Sequence, residues 1–219
     1  VYMYTGSLYF AKYVLGNEAV YSILTILVVP GGAIATVLIP WFTKHFGKKN
    51  TYIYVHVLGA VVMFAMYFIG RNGGYNNSSN LLWLAIGFVL LGLPQGINNV
   101  ITYAMIGDTV EYLEWKTGER AEGICFSMQT FINKISMAVG AFIGVMAYGI
   151  SGISPSDPYN TVTPEGSEKL WAVLILSGAI SMVATIIPML FYKVTESKQR
   201  EYVKEIEERK AAKAAKTAE

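Results

Sequence analysis

Apolar residues in this chain are gathered into long uninterrupted blocks, and that arrangement leaves few folds open. A hydrocarbon core of ~30 Å is crossed by about 20 helical residues, each rising ~1.5 Å. Four charge-free blocks reach that length: Ala19 to Phe42, Thr51 to Gly70, Leu81 to Gly107 and Leu170 to Tyr192. A fifth, Gly123 to Ile150, contains a single charge, Lys134, and a shorter apolar and aromatic run occupies Val1 to Leu15. Inside lipid the backbone must satisfy its own hydrogen bonds, so blocks of this length read as membrane helices. Composition agrees, with 15% charged residues against roughly 25% in a soluble domain.

The expected organisation is an all-α membrane bundle over residues 1–192, with spans near 1–15, 19–42, 51–70, 81–107, 123–150 and 170–192. A charged tail follows over 193–219. The opening run has neither a basic n-region nor a small-residue cleavage site, so it does not read as a signal peptide. It reads as a truncated first span, with more protein expected upstream. Cys125 is the only cysteine, which leaves no internal disulfide and no Cys-based zinc site. The spans contain no grouping of His, Cys and carboxylate able to hold a metal or activate a nucleophile. An enzyme, a metal and a bound cofactor are therefore not expected. A net charge of +2, with basic residues at span ends and in the tail, offers no surface suited to nucleic acid.

Lys and Arg alternate between connections, as cytoplasmic and external loops do. Lys44, Lys48 and Lys49 follow the second span, Lys116 and Arg120 follow the fourth, and eight more follow the sixth, so these connections hold 13 of the 17. The opposite loops hold only Arg71 and Lys169. This predicts a cytoplasmic C-terminus. The tail alternates Glu with Lys or Arg before becoming Ala/Lys-rich, which reads as a solvated, partly helical segment.

Polar side chains inside the blocks are the functional signal, because each is costly in hydrocarbon without a cavity or a partner. Gln129, Thr130, Asn133 and Lys134 occupy one sector of roughly 140° on a helix turning about 100° per residue. Gln95, Asn98, Asn99 and Thr102 form a stripe on the preceding span at helical spacing. Such amides can line a cavity or simply join helices. Lys134 lies near mid-depth and has no carboxylate at its level in any block, so its partner is expected from protein outside this chain. Lys12 lies near an outer end where it can snorkel, and His56 reads as a satisfied interior histidine. Tyr2, Tyr4, Tyr9 and Tyr13 read as aromatic packing. Pro30-Gly31-Gly32 and Gly92-Leu93-Pro94 with Gly96 interrupt the second and fourth spans, as in carriers whose helices bend around a cavity. Ser136, Gly140 and Gly144 have the small-residue spacing of close helix packing.

The run Gly107-Asp-Thr-Val-Glu-Tyr-Leu-Glu-Trp-Lys-Thr-Gly-Glu-Arg-Ala-Glu-Gly123, followed by Phe126-Ser-Met-Gln-Thr-Phe-Ile-Asn-Lys134, resembles the glycoside-pentoside-hexuronide:cation symporters of the major facilitator fold. Tyr9 to Asn17 is similar to that family's seventh span, and Phe46-Gly47-Lys48-Lys49 to its loop between spans eight and nine. The resemblance covers essentially the whole chain. It implies the C-terminal six-helix bundle, spans seven to twelve, of an inner-membrane carrier of glycosides coupled to Na⁺ or H⁺. The missing N-terminal bundle would supply most of the cation site. By resemblance Gln129, Thr130 and Lys134 are sugar-site residues, beside Asn133 and Asn99. Melibiose-type members tend to place Trp where Asn99 stands, which puts melibiose itself in doubt. Asp108, Glu111, Glu114, Lys116 and Arg120 would form a cytoplasmic gate by pairing across the two bundles. The alternative is a membrane sugar sensor or assembly subunit that keeps the fold and moves nothing.

Overall fold

The protein is described by a computed structural model covering residues 7–154, 156–157 and 161–218. Tyr2 and Tyr4 lie outside the described residues. A π-helical turn, Phe10–Val14, precedes α1 (Ala19–Gly70); a 3₁₀ segment, Arg71–Asn76, leads into α2 (Ser78–Thr117), and then α3 (Glu122–Ile150), α4 (Pro164–Leu190) and α5 (Glu196–Ala218) follow. No strand occurs among the described residues. The chain is an all-α membrane bundle, in which α1 to α4 are each long and apolar enough to cross a bilayer.

α1 has 52 residues, about 78 Å if straight and more than twice a hydrocarbon core. It folds back instead at Gly47, whose φ of 77° and ψ of 161° make a corner between two arms, 19–46 and 48–70. The apolar blocks stop at Phe42 and resume at Thr51, yet helix continues on both sides of this one residue. Lysine is a good helix former, and only glycine adopts the corner conformation at low cost. A Cβ on Gly47 would also lie 3.0 and 3.2 Å from the Glu196 carboxylate oxygens. Gly47→Ala is expected to destabilise the bundle by roughly 1–3 kcal/mol, measured as thermal unfolding in detergent. Glu196→Ala in the same chain should not restore it, because the backbone strain remains.

Capping sets the other bends. Asn77 accepts from Ser79 N–H at 3.0 Å and Thr163 from Gly166 N–H at 3.0 Å, each opening a helix. Gly118, left-handed at φ 80°, ends α2 by donating to the Glu114 carbonyl at 2.8 Å. α2 therefore runs ten residues beyond the apolar block that closes at Gly107.

Two clusters hold the bundle together. At the Lys/Arg-poor end Phe10, Met66, Tyr75, Phe88 and Trp171 pack around Leu170 and Leu174, with Phe10 edge-on to Tyr75 at 4.8 Å. Nearer the Lys/Arg-rich end Ala35, Ile39, Val55, Ile97, Ile101 and Met105 join both arms of α1 to α2. In lipid such contacts act through dispersion and close approach, since burial from lipid brings no hydrophobic gain. The closest approach is between Pro30-Gly31-Gly32 of α1 and Gly92 and Gly96 of α2. A Cβ on Gly92 would overlap the Val28 carbonyl oxygen and come within 2.8 Å of the Gly31 Cα.

α3 behaves differently. Its buried residues are Gly140, Gly144 and Ala147, all in its last three turns. From Ser127 to Val139 every residue is exposed except Gln129, which is intermediate. Of the three small residues expected in helix packing, Gly140 and Gly144 make that contact and Ser136 is exposed.

Candidate functional site

Helix geometry decides where the polar sector of α3 points. At about 100° per residue, Gln129 and Asn133 fall on the same side of the helix as Gly140, Gly144 and Ala147, with Thr130 and Lys134 extending that sector to one flank. Ile124, Met128, Phe131, Ile132, Ile135 and Val139 cover the opposite side and are exposed. The polar sector thus continues the face by which α3 joins the bundle, over a stretch where Thr130, Asn133 and Lys134 are exposed and Gln129 is half-buried. Among the described residues Lys134 has no hydrogen-bond or ion-pair partner. Gln129 Nε2 approaches Asn133 Oδ1 at 3.5 Å, the limit of a hydrogen bond. On α2, Gln95, Asn98 and Asn99 are exposed, and the Thr102 hydroxyl donates to Asn98 Oδ1 at 3.0 Å. No hydrogen bond links the two stripes among the described residues. Among the described residues they are two separate polar stripes, exposed except for the half-buried Thr102 and Gln129.

Two other polar groups of the spans are satisfied locally. His56 is buried, donates from Nδ1 to the Tyr52 carbonyl at 2.8 Å, and stacks on the Tyr52 ring at 4.0 Å between centroids. Lys12 reaches Glu18 at 2.9 Å near the Lys/Arg-poor end.

The charged run after Gly107 is ordered within this chain. Expected to pair across two bundles, its groups here find partners on α1, α2, α3 and the tail. Asp108, 5% exposed, accepts from Lys48 Nζ at 2.7 Å on both oxygens and from the Tyr192 hydroxyl at 3.3 Å. Lys49 Nζ caps the end of α4 by donating to the carbonyls of Leu190 and Tyr192 at 3.0 and 2.9 Å. Glu196 accepts from the Lys48 backbone N–H at 2.5 Å, placing a carboxylate at the start of the second arm of α1, where the helix dipole favours an anion. The Gly47-Lys48-Lys49 corner thereby joins α1, α2, α4 and the start of α5.

Glu111 accepts from Gln199 Nε2 at 2.6 Å. The Glu114 side chain, 6% exposed, is held by Lys210 at 2.6 Å and Arg120 at 3.1 Å. Lys210's hydrogen bond, and Arg120's with it, keep the Glu114 carboxyl below the usual carboxylate range despite burial. Glu122 and Glu114 raise the Arg120 guanidinium in return. Lys116 sits over the Tyr112 ring at 5.9 Å.

The tail is helical and mostly exposed, as expected of a solvated segment, but one stripe of it is covered. α5 lies against the extension of α2: Tyr202 packs on Trp115 at 4.6 Å and on Tyr112 at 5.6 Å, and the Trp115 indole donates to Glu205 at 2.7 Å. Arg209 donates to the Trp115 carbonyl at 2.7 Å, and Ile206 is 8% exposed. Charge alternation concealed this contact. The signal that reveals it is the apolar stripe Tyr202, Val203 and Ile206 inside a charged helix, since such a stripe needs a surface to cover it.

A family model described as MFS/sugar transport protein matches residues 1–196. The chain is 27% identical over 206 residues to a glucuronide carrier protein homolog of Escherichia coli strain K12, covering 94% of this chain and 43% of that protein. It is 31% identical over 203 residues to a putative sulfoquinovose importer of the same organism, covering 92% and 41%. Identity to a raffinose carrier protein of Pediococcus pentosaceus is 29% over 210 residues, covering 92% and 31%. The chain therefore spans less than half the length of these relatives.

Proposed function

The chain belongs to the MFS/sugar transport protein family, and from that premise we propose that it forms the C-terminal membrane half of a secondary active glycoside carrier coupled to Na⁺ or H⁺. The observation that carries the reading is the polar sector of α3, with Lys134 exposed and, among the described residues, unpartnered. A mid-span ammonium exposed to lipid alone is costly, whereas one facing a wet cleft between two bundles has water, a cargo hydroxyl or a carboxylate to meet. In this reading Gln129, Thr130, Asn133, Lys134 and Asn99 face the cargo. The partner bundle supplies the acidic cation site, and the Lys/Arg-rich end is cytoplasmic in an inner membrane.

Amides and an ammonium suit a cargo rich in hydroxyls, and the ammonium adds affinity for hexuronides or other acidic glycosides. The test is glycoside accumulation in vesicles containing the full-length carrier, under an imposed Na⁺ or proton gradient. Accumulation that collapses when one gradient is dissipated supports symport and identifies the cation. Saturable binding with no accumulation under either gradient would instead establish a sensor. The same assay on this chain alone is expected to give no saturable flux, because only one wall of the site is present.

A further inference from the structure

At the Lys/Arg-poor end of the bundle two cations and a carboxylate surround one pocket at the edge of the apolar blocks. We propose that this pocket, between the end of α1 and the start of α4, holds the headgroup of a phosphatidylethanolamine lipid, with its phosphate on Arg71 and Lys169 and its ammonium on Glu168. The inference needs only a bundle that spans a bilayer and does not depend on the cargo.

Arg71 is the first residue after the apolar block that ends at Gly70, and Lys169 is the last before the block that opens at Leu170. Both sit where a span leaves hydrocarbon, which is the level of lipid headgroups. With Tyr67, Glu168, Trp171 and Ala172 they line a cavity of about 190 Å³. Gly70 lets the two helices close beside it: the Trp171 ring occupies the place a Cβ would take there, and its indole donates to the Tyr67 carbonyl at 3.4 Å.

The charges of this pocket are not matched within the chain. Arg71 is exposed and, among the described residues, has no hydrogen-bond or ion-pair partner. Lys169 pairs with Glu165 at 2.7 Å, but both are exposed, and such a contact is weak enough for a phosphate to share or displace. Glu168 Oε1 is buried and accepts no hydrogen bond among the described residues, and a buried carboxylate oxygen without a donor is costly. A zwitterion answers both needs at once. Its phosphate oxygens meet the guanidinium and the lysine ammonium, while the ethanolamine N–H groups supply the donors that Glu168 lacks. A choline headgroup carries no N–H, and a glycerol headgroup carries no positive charge. The surface beyond the pocket favours a lipid over a soluble zwitterion. At about 100° per residue, Phe64 and Phe68 of α1 and Ile180 and Val183 of α4 stand within about 60° of Arg71 and Lys169 on their helices, exposed, as surfaces for acyl chains.

The test is native mass spectrometry of the full-length carrier in detergent, titrated with phosphatidylethanolamine, phosphatidylcholine and phosphatidylglycerol of identical chains. The unaltered protein is expected to bind phosphatidylethanolamine at least about tenfold more tightly than either of the others, the effect of one charge-assisted hydrogen bond. Glu168→Gln keeps the shape of the side chain and should remove most of that preference. Arg71→Ala should weaken binding of all three lipids, because each carries the phosphate. Phosphatidylcholine or phosphatidylglycerol binding as tightly as phosphatidylethanolamine, or a preference that survives Glu168→Gln, overturns the proposal. Displacement of the bound lipid by an equal concentration of glycerophosphoethanolamine also overturns it, since the pocket would then serve a soluble zwitterion. If Glu168→Gln does not fold, Arg71→Ala decides, and unchanged lipid binding by that variant overturns the site.

Discussion

Replacing Lys134 by alanine in the full-length carrier is expected to abolish glycoside accumulation while leaving the fold untouched. Two properties rarely found together produce that split. Among the described residues Lys134 touches nothing that its loss would leave unpaired, so the stability change should stay within about 0.5 kcal/mol. Yet it is the one charge in the α3 block, and a charge-assisted hydrogen bond to cargo or carboxylate contributes about 1.5–3 kcal/mol, or roughly 10- to 100-fold in affinity. Coupling a cation gradient to cargo through the same ammonium makes the loss of accumulation larger still. Lys134→Arg keeps the charge but presents a planar fork, so partial binding without full coupling is expected. Unfolding of the purified protein and uptake in vesicles check the two halves of the statement. Wild-type accumulation by Lys134→Ala would remove the polar sector of α3 from the mechanism.

The second large effect is structural. Gly92→Val should prevent recovery of a monodisperse bundle, because the added atoms meet the backbone of α1, which cannot rotate away as a side chain can. Overpacking typically costs about 1–3 kcal/mol; here α1 and α2 must separate along the glycine contact, and roughly 3 kcal/mol or more is expected. Gly107→Ala is the matched control on the same helix. Nothing lies within 4 Å of a Cβ there, and alanine favours helix over glycine by about 1 kcal/mol, so the control should be neutral or stabilising. Size-exclusion profiles and thermal unfolding in detergent compare the two. A well-behaved Gly92→Val protein would show that the contact between Pro30-Gly31-Gly32 and Gly92 is not needed to hold the two helices together.

These two sites differ in how far they could be read beforehand. Lys134 and its amides were legible because a charge in an apolar block needs no partner to be noticed. The glycines were read as helix breakers, yet helix continues through both groups, and nothing in the sequence marked them as the two sides of one contact. That pairing depends on how the first arm of α1 crosses α2, and one chain's periodicity does not encode a crossing. The corner at Gly47 was hidden for a similar reason: lysines on both sides suggested a loop, although lysine extends a helix readily. The contact of α5 with α2 was hidden because alternating charge dominates the tail's composition, while three apolar side chains decide where it docks.

By itself the sequence determined the solvent, the all-α class and the polar face of α3. These follow from single-segment properties, namely block length, charge and the angular spacing of side chains on one helix. Only the tertiary structure decided that the charged extension of α2 is occupied from within the chain, that Gly47 is a corner, and that α3 stands apart over its first half. Each of these depends on which surfaces lie within a few ångströms of one another. Dispersion and hydrogen bonding fall off over that distance, and it is set by packing among helices far apart in the chain.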